Sequence, residues 1–313
     1  LDTRLFIDPF LIFSIVHPDF ANSHSKLISF FTDIFEMALV TPYSPKNQHF
    51  RNLLVRSEFR EVKELCLGYA GESTEGSGSG KGLAKRIIKA VYESLEEDSG
   101  TNNSSHFEEL GIFNERIGCD RISDITAGIL IEDFILYTQK VCNKYKVPTK
   151  KFGIRMYDLQ FERWSIKYFD LPENPYYDNR AVILTPKEFL GYLPAINSDD
   201  CYDYCGRIHN QEIRDQFNIE IKKGADRELK VRIAKKHKEW VEEYISVKEK
   251  MSDSAYNLKV DRHGVYRWAP ETIAFARQNP IKVQATDLDS FKKVIDKLID
   301  QYRYFIEECS GYA

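Results

Sequence analysis

Apolar residues recur every three or four positions along much of this chain and bunch into short β-branched and aromatic runs elsewhere, and that contrast predicts the elements. From Asn22 to Val40, Leu27, Phe30, Phe31, Ile34, Phe35 and Ala38 fall at helical spacing after an Asn/Ser start that suits a cap, so a helix with a wide apolar face is expected. Leu83, Ile87, Val91 and Leu95 mark a second helix in LAKRIIKAVYESL, and a third is expected from about Ser123 to Tyr145. The opening run LDTRLFIDPFLIFSIV reads as a buried strand, and ELCLGYA as a shorter one. After Phe152, the runs WSIKYFDL and AVILTP flank PENPYYDN, which predicts an antiparallel pair joined by a proline-containing turn. From about Asn210, Leu229, Ile233, Trp240, Tyr244 and Val247 or Met251 give a charged helix with one apolar stripe. A further helix, opened by Thr286 and Asp289, turns Leu288, Phe291, Ile295, Leu298, Tyr302 and Phe305 inward.

This order of elements predicts an α/β or α+β fold, a mixed sheet flanked by helices with a helical C-terminal part. A boundary near Pro148 would separate an α/β part, 1–148, from a β-hairpin region followed by charged helices, 149–313, unless the two form one continuous domain. The polar stretch EEDSGTNNSS, Glu96–Ser105, is the best linker or surface loop, and no internal repeat is present.

With 313 residues, 42% of them hydrophobic, the chain can bury a substantial core. A net charge of -4 provides no global field that would select a polyanion, so any nucleic-acid site has to be a local patch. The six cysteines follow no disulfide framework and read as reduced thiols of a cytoplasmic protein. Every apolar run falls short of the roughly 18 to 20 residues that cross a bilayer, so no membrane partner is expected.

Two stretches carry candidate chemistry. In ERIGCDRISDITAGIL, Glu115–Leu130, Ser123 suits an N-cap and Asp124 the first turn of the helix after it. Asp120 stands four residues before Asp124 with Arg121 between, so a turn running into the helix puts both carboxylates on one side beside a guanidinium. A hard cation such as Mg²⁺ or Mn²⁺ takes oxygen ligands in that arrangement and can activate water or clamp a phosphate. The competing reading is an ordinary capped helix start with a surface ion pair. In GESTEGSGSGKG, Gly71–Gly82, the residues Gly78, Gly80 and Lys81 resemble a phosphate-binding loop before a helix. Glu75 and Gly82 occupy the positions where the P-loop pattern needs Gly and Ser or Thr, which argues against a GTPase or ATPase. The alternative is a surface loop.

Weaker signals complete the set. Lys222, Lys223, Lys235 and Lys236 belong to the one local basic run able to meet phosphates, a run that is otherwise an ordinary solvated helix face. Within it Arg232 and His237 have a spacing used by some helical ribonucleases, and Glu220 with Lys222 offers half of a restriction-type nuclease site. Cys201, Cys205 and His209 recur every four residues, a spacing that fits a packed helix face better than a zinc site.

Four blocks, LFIDPFLI, ELCLGY with its GSGSG loop, ERIGCDRISDITAGIL with YTQKVC, and LPENP with AVILTPKEFLGYLP, together resemble a group of uncharacterised bacterial proteins associated with mobile elements and anti-phage defence loci. The resemblance implies no established activity and no catalytic residue, but it tilts expectation toward an effector that damages nucleic acid. The expected function is a metal-dependent nuclease-like effector with Asp120, Arg121 and Asp124 as its centre, acting on DNA or RNA, with other subunits of a defence complex as further partners. The alternatives are a nucleotide-sensing or protein-binding module and a non-catalytic subunit of a larger complex.

Overall fold

A computed structural model describes residues 5–68, 80–97, 106–114, 117–158, 161–175, 179–209, 213, 227–251 and 255. The expected helix from Thr286, together with Lys222, Lys223, Glu220 and Gly78, lies outside the described residues. The chain is an α+β protein with two small antiparallel sheets, most of its described length being helical.

The opening apolar run is not one strand. Only β1, Phe6–Ile7, is extended, and α1 follows at Pro9–Ser14. Asp8 is the reason: its carboxylate accepts from Phe10 N at 3.0 Å, and Pro9 stands at the first helical position, where a missing N–H costs nothing. The second carboxylate oxygen of Asp8 accepts from Ala195 N at 2.8 Å, which ties the start of the chain to a segment 187 residues away.

Helix α2 spans Ser23–Leu39 and buries Leu27, Phe31, Ile34 and Ala38, as the periodicity predicts. Its start is not capped by Asn22 or Ser23. The Ser23 hydroxyl instead donates to Asp133 at 2.7 Å, satisfying a buried carboxylate on another helix. Helix α3 is Gln48–Arg56, capped by Asn47. Among the described residues of ELCLGYA no strand forms: Lys63–Leu65 make a single 3-10 turn, closed by Cys66 at φ 52°. Helix α4, Gly80–Glu97, buries Leu83, Ile87 and Val91. A one-turn helix, α5, covers Leu110–Phe113.

The single helix expected from Ser123 to Tyr145 is two, α6 at Cys119–Ile129 and α7 at Ile131–Tyr145, broken at Leu130. Next, β2, Lys150–Asp158, pairs with β3, Arg163–Leu171, in register from Lys150 opposite Leu171 to Asp158 opposite Arg163. A hairpin was expected here, but with AVILTP as partner. That segment meets the chain just past the end of β3 in a single antiparallel bridge, Ala181 opposite Glu173, with Val182 N donating to Pro172 O and Asn174 N to Arg180 O, before Ile183 N turns to Glu64 O. The two-residue β4, Leu190–Gly191, pairs with β1.

Helix α8, Ser198–Ile208, is capped by Asn197, which accepts from Asp199 N and Asp200 N. The charged region holds α9, Arg227–Lys236, and α10, Lys238–Lys250, separated at His237, so the expected single stripe bends there.

Three apolar clusters hold these elements together. One joins Ile7, Leu11 and Leu27 with Leu130, Phe134, Ile154, Leu171, Ile183 and Phe189, drawing on both sides of Pro148. The second packs α2, α3 and α4 on α6 through Phe31, Leu53, Phe59, Ile87 and Ile122. The third surrounds Trp240 and Tyr244 with residues of α8 and α9, together with Phe10, Ile112, Ala195 and Ile196.

Candidate functional site

The acidic stretch begins its helix earlier than expected. Gly118 is the N-cap of α6, without a side-chain cap, and Ser123 stands inside the helix. The Ser123 hydroxyl accepts from Ile7 N at 3.0 Å, so it serves the β1 backbone and not the helix start. Asp120 occupies the first turn and is exposed, whereas Asp124, one turn on, is buried. Arg121 Nη1 donates to Asp124 Oδ2 at 3.1 Å.

Burial pushes the Asp124 carboxyl up, and the negative charges of Asp120 and Glu61 push it further. The Arg121 guanidinium opposes them, and the balance lies at about 7. A carboxyl poised there exchanges its proton near neutrality, as groups in acid–base catalysis do. Asp120 and Asp124 are the residues here able to hold a divalent cation, with the remaining positions filled by water, as Mg²⁺ prefers. Among the described residues, no group of three or more His, Cys, Asp or Glu forms a ready metal site.

The basic run reaches this point through a residue absent from the sequence-derived site. Arg227, the first residue of α9, donates from Nη2 to Ile117 O at 3.1 Å, and its guanidinium lies 3.6 Å from where a Cβ on Gly118 would stand. Two guanidiniums, Arg121 and Arg227, therefore flank the start of α6. The lysines of the run behave differently. Lys235 pairs with Glu93 of α4 at 3.0 Å, and Lys236 has interactions of its own, so neither is a bare phosphate contact.

The glycine loop and the acidic helix share one neighbour. At the start of α4, a Cβ on Gly80 would stand 2.6 Å from Phe59 O, closer than any side chain allows. The Phe59 ring lies just as close to Gly128 of α6, 2.7 Å from where its Cβ would be. Gly80 is thereby held against Phe59, two residues before Glu61, whose negative charge acts on Asp124. Lys81 itself is exposed.

The triplet on α8 is not a metal site. Cys201 and Cys205 are buried side by side, and a thiol–thiol hydrogen bond together with burial pushes Cys201 far above the ordinary thiol range. His209 turns away from them, stacks on Trp240 at 4.2 Å and meets Glu243 at 3.1 Å. His237 stacks on Trp240 at 3.6 Å and meets Glu239 at 3.0 Å, which accounts for it without a ribonuclease role.

One feature gave no signal in the sequence. A cleft of about 100 Å³ lies apart from α6, between α2, α4, the segment 106–113 and the helices α9 and α10. Its floor is apolar, from Leu27, Phe31, Phe35 and Phe113 among others. Its lining also includes His24, Glu93, Lys235 and Glu242, together with His106 and Glu108, which are buried. His106 bridges Glu108 at 3.3 Å and Glu249 at 3.0 Å; burial disfavours its charge, but the two carboxylates outweigh burial and raise it above the ordinary histidine value. No motif marks this cleft, because its walls come from segments far apart in the chain.

The model of a family described as a domain of unknown function, DUF8370, matches residues 1–197. The chain belongs to that family. No curated protein and no solved structure matches it. The DUF8370 region ends at Asn197, the cap of α8, and so contains Asp120, Arg121, Asp124, Gly80 and Lys81. Arg227, Lys235 and Lys236 stand beyond it. Among the described residues no helix is long and apolar enough to cross a membrane.

Proposed function

We propose that the chain is a metal-dependent, nuclease-like effector whose reaction centre is the start of α6. The observation that supports this reading is Asp124, a buried carboxyl with a pKa of about 7 between two other carboxylates and a guanidinium. In this reading Asp120 and Asp124 would hold Mg²⁺ or Mn²⁺, whose charge would favour the ionised form of Asp124 against its burial and its carboxylate neighbours. Such a cation would supply an acidified water and charge stabilisation at phosphorus. Arg121 exchanges Asp124 for a phosphate oxygen when substrate binds, and Arg227 holds the neighbouring phosphate. Lys222, Lys223, Lys235 and Lys236 steer the polyanion, with an affinity that falls as salt rises. A role in anti-phage defence, within a complex of several subunits in the cytoplasm, belongs to the same proposal and is motivated by the four resembling sequence blocks.

The test is direct. Purified protein with DNA or RNA and Mg²⁺ or Mn²⁺ is expected to cut one of them, and Asp124→Asn and Asp120→Asn are each expected to slow the cut by roughly 10²-fold or more. Cleavage at the wild-type rate by Asp124→Asn removes the assignment. A second reading, a nucleotide-sensing or protein-binding module without chemistry, is favoured by Gly80 and Lys81 opening an 18-residue helix. A nucleotide that raises the melting temperature while no nucleic acid is cut would select it.

A further inference from the structure

The cleft between α2, α4, α9 and α10 does not belong to the α6 centre, and its lining specifies a ligand. Four phenylalanines wall it: Phe31 and Phe107 stack with ring centroids 4.7 Å apart and planes 9° from parallel, and Phe35 and Phe113 add further ring surface. An apolar cavity of about 150 Å³ accepts a benzene ring, so an open cleft of about 100 Å³ suits a single small ring whose tail reaches solvent.

The charges of the lining are largely engaged already. Glu93 is held by Lys89 at 3.3 Å and Lys235 at 3.0 Å, and Glu108 is held by His106. Glu109 and Lys238 are likewise engaged. Glu242, exposed on α10, is the lining charge that makes no ion pair among the described residues. What the cleft offers an incoming molecule is therefore a ring-sized aromatic box with one negative charge at its mouth. Aromatic faces and a carboxylate both favour a cation and disfavour an anion.

We propose that this cleft binds a small aromatic amine, its ring among Phe31, Phe35, Phe107 and Phe113 and its ammonium group toward Glu242. Ligand sites with an apolar body and a few placed polar groups follow this pattern in general. The hydroxyls of Thr32 and Ser94, also in the lining, provide acceptors for the remaining ammonium hydrogens.

The experiment is titration calorimetry on the full chain with phenethylamine and benzylamine, set against 3-phenylpropionate and phenylacetate, which keep the ring and reverse the charge. Saturable binding of an amine is expected, at least roughly tenfold tighter than that of its acid counterpart, about 1.4 kcal/mol. Glu242→Gln is expected to weaken the amine severalfold while the melting temperature holds. Thr32→Trp places an indole at the mouth from an exposed position of α2 and is expected to abolish binding without unfolding the protein; Ser94→Trp replaces it if that variant does not fold. Failure of both amines to saturate, equal affinity for amine and acid, or amine binding undiminished in the folded tryptophan variant would each overturn the proposal. None of these readouts depends on nucleic-acid cleavage.

Discussion

Asp124 and His106 are buried titratable residues whose surroundings both retain a proton, for opposite reasons. At Asp124, burial and the charges of Asp120 and Glu61 disfavour the anion, and the native carboxyl keeps its proton up to about 7, whereas an unfolded carboxyl releases it near 3.9. Between those values the native state binds more protons, so this residue makes stability fall as pH rises through the window. Asp124→Asn is expected to flatten that fall by up to about 4 kcal/mol, read as unfolding free energy from urea titrations at pH 4 to 7. An unchanged slope would mean that Asp124 is ionised throughout. At His106, burial opposes the charge, but Glu108 and Glu249 outweigh it and raise the pKa. The stability gained is fully present below the unfolded value near 6.5 and is lost as pH climbs through the raised native value. His106→Asn is accordingly expected to destabilise by roughly 1–3 kcal/mol in acid and less in alkali, with melting temperatures of the two proteins converging as pH increases.

At the scale of elements, periodicity read α2 and α4 well because each has an uninterrupted buried stripe. It fused α6 with α7 because the break at Leu130 carries no Gly or Pro, only a backbone that leaves the helix at ψ 14°. It read α1 as strand because the run is apolar all round, although Asp8 and Pro9 are a cap and a first-turn residue in plain view. The expected contact between AVILTP and the end of β3 is one bridge long, and β2, the main partner of β3, was missed because it is charged and largely exposed at its start, so its alternation is weak beside that of AVILTP. Gly128 shows how packing overrides propensity. Alanine there would favour the helix by about 1 kcal/mol, yet its methyl carbon would stand 2.7 Å from a ring carbon of Phe59, itself fully buried. Overpacking of that kind costs roughly 1–3 kcal/mol, so Gly128→Ala is expected to destabilise on balance. Phe59→Leu should turn the same substitution neutral or stabilising relative to its own background, a reversal that a double-mutant cycle in urea detects.

For the whole molecule, the boundary of the family match and the boundary of the core do not coincide. Asp120 and Asp124 could be paired from sequence because they stand four residues apart, whereas the cleft could not be read, because five segments build it. The same non-local construction governs stability beyond Asn197. Phe10, Ile112, Ala195 and Ile196 lie within the matched residues, but the cluster they join is otherwise made of Cys201, Cys205, Ile233, Trp240, Val241 and Tyr244 with their neighbours. The Tyr244 hydroxyl donates to Ala195 O at 3.0 Å, and Lys248 meets Asp200 at 2.6 Å, so α10 is fastened to the segment where the match ends. Removing everything after Asn197 would return four buried apolar residues to water, at about 25 cal/mol for each Å² exposed. It would also take away Arg227 from the start of α6 and the α9–α10 wall of the cleft. A chain ending at Asn197 is therefore expected to melt lower than the 313-residue chain and to bind a hydrophobic dye such as ANS. If it melted at the same temperature and left the dye dark, α8 to α10 would be an attachment to a core complete without them, and Arg227 would have to be set aside as part of the α6 centre.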